Sequence, residues 1–171
     1  RDLWPESITT VGAMTDGKMI RFLEKLELRL YRSAKRIIVV TDSFKKNINS
    51  RGIPAEKIKV IKNGANLELY SGHQTDTHLL KKLGLEGKFI IGYVGTHGLA
   101  HKLDFIIRCA RELPDEDVHF VFLGSGAKKQ ELIELSASLG TQNVTFLNPV
   151  KKSEVWRYIS IMKAMVVPLK K

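Results

Sequence analysis

Three short stretches of this sequence combine residue types that handle phosphate: Gly95-Thr96-His97-Gly98, Gly124-Ser125-Gly126 and Asn148-Pro149-Val150-Lys151-Lys152. Glycine lets a ligand come against the main chain, and a helix that follows offers unpaired N–H groups with positive partial charge. That combination suits a diphosphate. For any one loop alone, glycines that merely end strands are the plainer account; for all three together the phosphate reading is the better one. Other chemistries fail on spacing. The dinucleotide fingerprint needs a third glycine at 129, where Lys129 stands, and no acidic residue falls at the ribose position. No Walker A sequence is present. The histidines at 73, 78, 97, 101 and 119 lack ligand spacing and cysteine company, so no metal site is expected.

The elements that must carry these loops are legible in outline. RIIVV (36–40) is a β-branched run ended by the capping residues Thr41-Asp42-Ser43, with a short helix expected from 44 to 50. KIKVIKNG (57–64) alternates before an Asn-Gly turn signal. SGHQTDTH (71–78) has no hydrophobic residue and reads as a linker or exposed loop, taken to extend to 84. Beyond it the rhythm is regular: strands at 89–94, 118–123, 143–147 and 164–167, with helices at 102–112, 127–139 and 153–161 between them. Strands alternating with helices of this length imply a parallel sheet with right-handed crossovers. The near-continuous apolar strands imply helices on both faces. In such a sheet ligands bind beyond the carboxyl ends of the strands, which is where all three loops fall.

The totals fit this picture. The chain has 171 residues, 43% hydrophobic and 27% charged, values of a globular protein that buries a core. No apolar run approaches the roughly 20 residues that span a bilayer. The chain opens on Arg1-Asp2, which argues against a signal peptide. The single cysteine, Cys109, lies on an apolar helix pattern, reads as core filler, and points to a reducing, cytoplasmic setting. The net charge of +10 is spread over both parts, with 14 Lys+Arg against 8 Asp+Glu in residues 1–70 and 14 against 10 in the rest. Anionic partners follow: nucleotides, anionic lipid or nucleic acid. Nucleic acid lacks the aromatic interleaving or helix-turn-helix signature that would support it, and is not expected. The chain begins without Met and stops after a strand-like run, so it is expected to be an excerpt of something longer.

Residues 17–36 hold a further feature. Met19, Leu23, Leu26, Leu30 and Ala34 follow the spacing of a buried helical stripe. Beside it run Lys18, Arg21, Lys25, Arg29, Arg32 and Arg36, with Glu24 and Glu27 on the far side. A single-sign stripe beside an apolar one can lie on an anionic membrane; a solvated face of a basic protein is the plainer account.

The segments RDLWPESI, RIIVVTDSFKKNINSRGIPAEKIKVIKNGANLELY and IGYVGTHGLAHKLD resemble, in this order and spacing, the retaining nucleotide-sugar glycosyltransferases of group 1, similar to family 4. These have two facing Rossmann-like domains, the GT-B arrangement, and the resemblance is to the branch building capsule, exopolysaccharide or O-antigen. It implies an α/β fold of two Rossmann-like parallel-sheet units, both incomplete here. Residues 1–70 would end an acceptor domain, 71–84 would be the linker, and 85–171 would be the first half of a donor domain. It implies that Gly95 and Gly98 admit the donor diphosphate, with Thr96 and His97 near the phosphates or sugar. Many relatives carry an Arg after the first glycine and a Lys some five residues on; Thr96 and His101 stand at those positions, and Lys102 would take over the cationic role. Gly124 and Ser125 would sit near the phosphates or ribose, the backbone of Val150 would read the base edge, and Asp2 would line the cleft on the acceptor side as the one catalytic candidate within the chain. A glutamate pair expected after 164–167 lies beyond the last residue, so these 171 residues are not expected to transfer sugar alone.

The resemblance thus implies an enzyme that moves a sugar from a nucleoside-diphosphate donor to a glycan or polyprenyl-linked acceptor. It would need no cofactor or metal, and would be cytoplasmic or peripheral on the inner face of the plasma membrane. A nucleotide-sugar 2-epimerase of the same shape and a non-catalytic nucleotide-binding module are the alternatives.

Overall fold

The computed structural model describes residues 17–70, 74–114 and 117–169. The chain divides into two compact units, Arg1–Ala65 and Asn66–Lys171.

In the first unit, helix α1 (Lys18–Ser33) leads to strand β1 (Ile37–Val39), helix α2 (Asp42–Ser50) and strand β2 (Ile58–Val60). The two strands are parallel, with Ile37 opposite Ile58 and Val39 opposite Val60. The period of two puts Ile37 and Val39 inside and Ile38 outside. Ile48 of α2 and Ile53 complete the core with Ile58. Thr41 caps α2 as its sequence position implied, its Oγ1 accepting a hydrogen bond from the Phe44 N–H at 3.1 Å. At the other end of α1, the Lys57 ammonium donates to the Arg32 carbonyl at 2.7 Å, a cation at a helix C-terminus.

The buried side of α1 is not the one its apolar spacing suggested. Ile20 and Glu27 are buried, and Leu28 and Tyr31 pack on the core with Ala34, the one end of the expected stripe that does. Met19 and Leu30 of that stripe are both 58% exposed, and Phe22 beside them 61%. The helix carries two apolar faces, and a charge pair decides between them. Glu27, expected on the far side, accepts from Arg51 at 2.6 Å and from the Tyr31 hydroxyl at 2.7 Å. Both carboxylate oxygens are satisfied, so this face can be taken out of water. The same contact is felt at Tyr31, whose pKa is pushed up to about 12, first by burial and then by the Glu27 carboxylate.

The second unit runs α3 (Thr77–Leu83), β3 (Phe89–Val94), α4 (Leu103–Arg111), β4 (Val118–Leu123), α5 (Lys129–Ser138), β5 (Val144–Leu147), α6 (Val155–Ser160) and β6 (Ala164–Met165). All four strands are parallel, in the order β5-β4-β3-β6. Alternate residues feed two cores. Tyr93, Phe120 and Phe122 pack with Leu103, Ile107 and Leu132 of α4 and α5. Ile90 and Val121 pack on the opposite face with Leu79 of α3 and Ile161. Helices thus cover both faces, as the apolar strands implied.

The expected linker, 71–84, falls within this unit, and residues 76–84 of it form and flank helix α3. Asp76 caps α3, its Oδ1 accepting from the Leu79 N–H at 2.8 Å, and its Oδ2 accepts from Arg157 Nε of α6 at 2.7 Å. The Arg157 guanidinium holds the Asp76 carboxyl below the usual carboxylate range. The Asp76 N–H also donates to Ser160 Oγ at 3.1 Å. Leu79, Leu80 and Leu83 bury the helix, and Gly84 ends it in the left-handed conformation (φ 67°).

The Glu27 site yields a stability prediction. Arg51→Met leaves a buried carboxylate without its cation and should cost about 3 kcal/mol. Glu27→Gln keeps the size, one acceptor for Arg51 and an NH2 that can donate to the Tyr31 oxygen, and should cost less than half as much. Urea unfolding followed by circular dichroism measures both; equal, small losses would show the pair to be solvated.

Candidate functional site

The strand order places a topological switch at β3. The chain steps from β3 outward through β4 to β5, then crosses back so that β6 lies on the other side of β3. At such a point the loops beyond the strand ends diverge and leave a crevice. Beside this point, at the carboxyl ends of β3, β4 and β5, lies a cavity of about 270 Å³, lined by Val94, Gly95 and Thr96 after β3, Leu123, Gly124 and Ser125 after β4, and Pro149, Val150 and Val155 after β5.

The first two loops are clasped by their main chains. The His97 N–H donates to the Ser125 carbonyl at 2.8 Å, and the His97 carbonyl accepts from the Lys128 N–H at 2.9 Å. This approach leaves no room for side chains on the second loop. A Cβ at Gly124 would overlap the Gly95 carbonyl oxygen, and one at Gly126 would overlap the carbonyl oxygen of His97. Glycine here serves the meeting of two loops as well as any ligand. Gly98 differs, since a Cβ there would make ordinary contacts of 3.5 and 3.6 Å with Thr96 and His101.

Three side chains hold the clasp. The Tyr93 hydroxyl donates to the Thr96 carbonyl at 2.7 Å. The Lys129 ammonium donates to the Gly124 carbonyl at 3.0 Å, the Leu147 carbonyl at 2.8 Å and Asn148 Oδ1 at 2.9 Å. It ties the end of β4 to the end of β5 and answers the partial negative charge of their carbonyls. His97 is the third. Its ring is fully buried, 5.8 Å from Tyr93 and edge-on to Phe122 and Phe146 at 6.4 and 6.3 Å. Burial first, then the positive charges of Lys129 and His101, holds its pKa below 6.5.

The sequence-predicted residues therefore separate. Gly95, Thr96, Gly124, Ser125 and Val150 meet at one cavity. His97, expected beside phosphate or sugar, turns its ring into the core instead, because an apolar socket of three aromatic rings waits beneath the loop. Gly98, His101 and Lys102 lie outside the cavity lining; Lys102 is exposed just before α4, and His101 is half-buried with Nδ1 enclosed. Asp2 lies outside the described residues. Lys129 was visible in the sequence only as the residue that spoils a dinucleotide fingerprint, and the tie it makes between strand ends had no local signal. Tyr93 read only as part of an apolar run. Among the described residues no three His, Cys, Asp or Glu come together as metal ligands.

The pattern of the family described as Glycosyl transferases group 1 matches residues 76–171, the whole of this sheet and its loops. The chain belongs to that family. The pattern of Glycosyltransferase Family 4 matches residues 9–69, which covers the described part of the first unit. No curated protein matches the chain. Among solved structures it is similar to HepE of Anabaena in complex with UDP and glucose, with TM-score 0.69 and 21% identity over 81% of this chain and 40% of that one. It is also similar to WaaG, a glycosyltransferase involved in lipopolysaccharide biosynthesis, with TM-score 0.73 and 15% identity over all of this chain and 49% of that one. TarM of S. aureus, in complex with UDP among other ligands, aligns with TM-score 0.67 and 16% identity over 89% of this chain and 29% of that one. The chain thus spans about 40% of the length of the first of these. At such identities the likeness is one of fold, and it makes the two parallel-sheet units of this group 1 glycosyl transferase Rossmann-like units of the GT-B type.

Lys129 gives the site a test of its own construction. Lys129→Met removes a charged donor from three acceptors and should lower stability by about 2 kcal/mol. Amide exchange at Gly124 and Ser125 should rise at the same time. A variant as stable as the parent, with unchanged exchange, would show that the loops hold without this tie.

Proposed function

We propose that the protein takes part in transferring a sugar from a nucleoside-diphosphate donor to a glycan or polyprenyl-linked acceptor in cell-surface polysaccharide synthesis. The observation that carries this reading is the cavity at the strand ends, walled by main chain, two small hydroxyl side chains and the apolar Val150 and Val155, with no carboxylate in its lining. Glycine backbone and hydroxyls suit phosphate oxygens and a ribose, and an apolar edge suits a base. HepE holds UDP and glucose, and TarM holds UDP, in related folds.

In this reading Gly95, Thr96, Gly124 and Ser125 face the diphosphate and ribose, and the Val150 backbone faces the base. The bond between the sugar's anomeric carbon and the diphosphate oxygen breaks, and a new one forms to an acceptor hydroxyl oxygen, whose proton leaves. The departing nucleoside diphosphate gains negative charge, which in this reading loop N–H groups offset, with the exposed Lys102 outside the cavity lining as a further cation. Asp2 is carried as the acceptor-side candidate on sequence grounds alone. The reading requires no metal and no further cofactor.

A second observation bears on where the reaction occurs. Met19, Phe22, Leu26 and Leu30 form an exposed apolar stripe on α1, beside Lys18, Arg21, Lys25, Arg29 and Arg32. No helix among the described residues is long and apolar enough to cross a membrane. An apolar stripe bordered by one sign of charge is the pattern of a helix lying in an anionic interface, and we place it on the inner face of the plasma membrane.

Two expected outcomes follow. UDP should bind in calorimetry, and Ser125→Asp should weaken it at least about tenfold, or about 1.4 kcal/mol, by setting a carboxylate against phosphate. An unchanged affinity would remove the phosphates from this cavity. The protein should also sediment with vesicles rich in phosphatidylglycerol, and changing Arg21, Lys25 and Arg29 together to Gln should release it, each charge contributing about 1 kcal/mol. Sedimentation unaffected by the triple change would leave α1 as a solvated face.

A further inference from the structure

His97 is a costly choice for its position. Its ring is fully buried, and neither Nδ1 nor Nε2 has a hydrogen-bond partner. A neutral imidazole carries one donor and one acceptor, and a buried polar group left unpaired is a liability that a phenylalanine would not bring. The socket of Tyr93, Phe122 and Phe146 is of the kind that accepts an apolar ring. The same residue's main chain makes both bonds of the loop clasp, to Ser125 and from Lys128. Ring and clasp thus belong to one residue, so a displaced ring would act on the main chain that makes the clasp.

The groups around the ring oppose a proton on it. From α5 comes Lys129, whose ammonium is held by Gly124, Leu147 and Asn148. From the loop comes His101, and from β3 comes the Tyr93 phenol, already committed to the Thr96 carbonyl. Phe122 of β4 and Phe146 of β5 bring no charge. A Cβ at Gly124 would stand 3.5 Å from His97 Nε2, so the ring lies directly against the second loop.

We propose that His97 is an acid-sensitive latch on the cavity: its neutral ring keeps the 95–98 and 124–128 loops clasped, and a proton drives the ring from its socket and parts them. As a control on donor binding this rests on the reading of the cavity as a diphosphate site. The sign follows from linkage. The ring's pKa in the closed form lies below 6.5, so protons favour the open form. The latch acts in full above about pH 6.5 and weakens as pH falls from there through the lower closed-state value.

The test compares the protein with His97→Phe, which keeps a ring but cannot take a proton, while His78, His101 and His119 remain. Two quantities are measured from about pH 7.5 to about pH 5: protection of the backbone amides at positions 97 and 128, corrected for intrinsic exchange, and UDP affinity by calorimetry. In the parent, protection should fall at least about tenfold over that range, and UDP affinity should fall further than in the variant. In the variant, protection should stay level and affinity should change only through the terminal phosphate of UDP, which takes its second proton at about pH 6. Should Phe overpack the socket, His97→Leu replaces it, and imidazole NMR of the parent decides independently. Protection that holds in the parent at about pH 5, or falls equally in the variant, would overturn the latch, as would a His97 ring that takes its proton while the loops stay closed. Protection that follows the ring's titration in a protein that binds no UDP at any pH would uphold the latch and overturn the donor reading.

Discussion

The site depends on how closely two backbone segments approach. The carbonyl of Gly95 occupies the space that any side chain at 124 would need, and the carbonyl of His97 does the same at 126. Once those positions are glycine, the loops after β3 and β4 can exchange hydrogen bonds and behave as one surface. The pocket between strand ends then has walls of main chain whose polar groups are partly committed to each other. Rigidity of this kind is worth having in a binding site, because a loop that is already ordered has less conformational freedom to lose when a ligand arrives. Tyr93 below and Lys129 beside the clasp serve that one arrangement.

Helix α1 shows a different balance. Its sequence offers two apolar faces, and burying the one with a carboxylate is the poorer choice until Arg51 and Tyr31 are counted. With both oxygens satisfied, the cost of removing Glu27 from water is offset, and the purely apolar stripe is released to the surface. A glutamate inside thereby decides which leucines stay outside.

Much of the fold could be read from residue order because parallel strands covered on both faces show as unbroken apolar runs. FIIGYV and VHFVFL needed no partner to be recognised, and the loops after them followed from the position of their glycines. The failures share a cause, which is distance along the chain. The inward face of α1 was set by Arg51, 24 residues beyond Glu27. The inward turn of His97 was set by Phe122 and Phe146 on other strands, and nothing in Gly-Thr-His-Gly tells an imidazole facing a ligand from one facing a core. Helix α3 is a different case. Asp76, Leu79, Leu80, Leu83 and Gly84 carried a cap, a stripe and a stop, but the polar run before them drew the boundary too late.

The tie between Asp76 and Arg157 spans 81 positions of sequence. During synthesis the chain grows at about 5–20 residues per second, so the aspartate waits roughly 4 to 16 seconds for its arginine to be made. Through that interval α3 has its own cap but no anchor on α6, and the sheet face it covers, with Ile90 and Val121, has yet to receive Ile161. The anchor of α3 on α6 can therefore form only once the last helix of the sheet has been made, although Leu79 already has Ile90 and Val121 to pack on. A nascent chain paused before Arg157 would present that apolar face to whatever meets it at the ribosome.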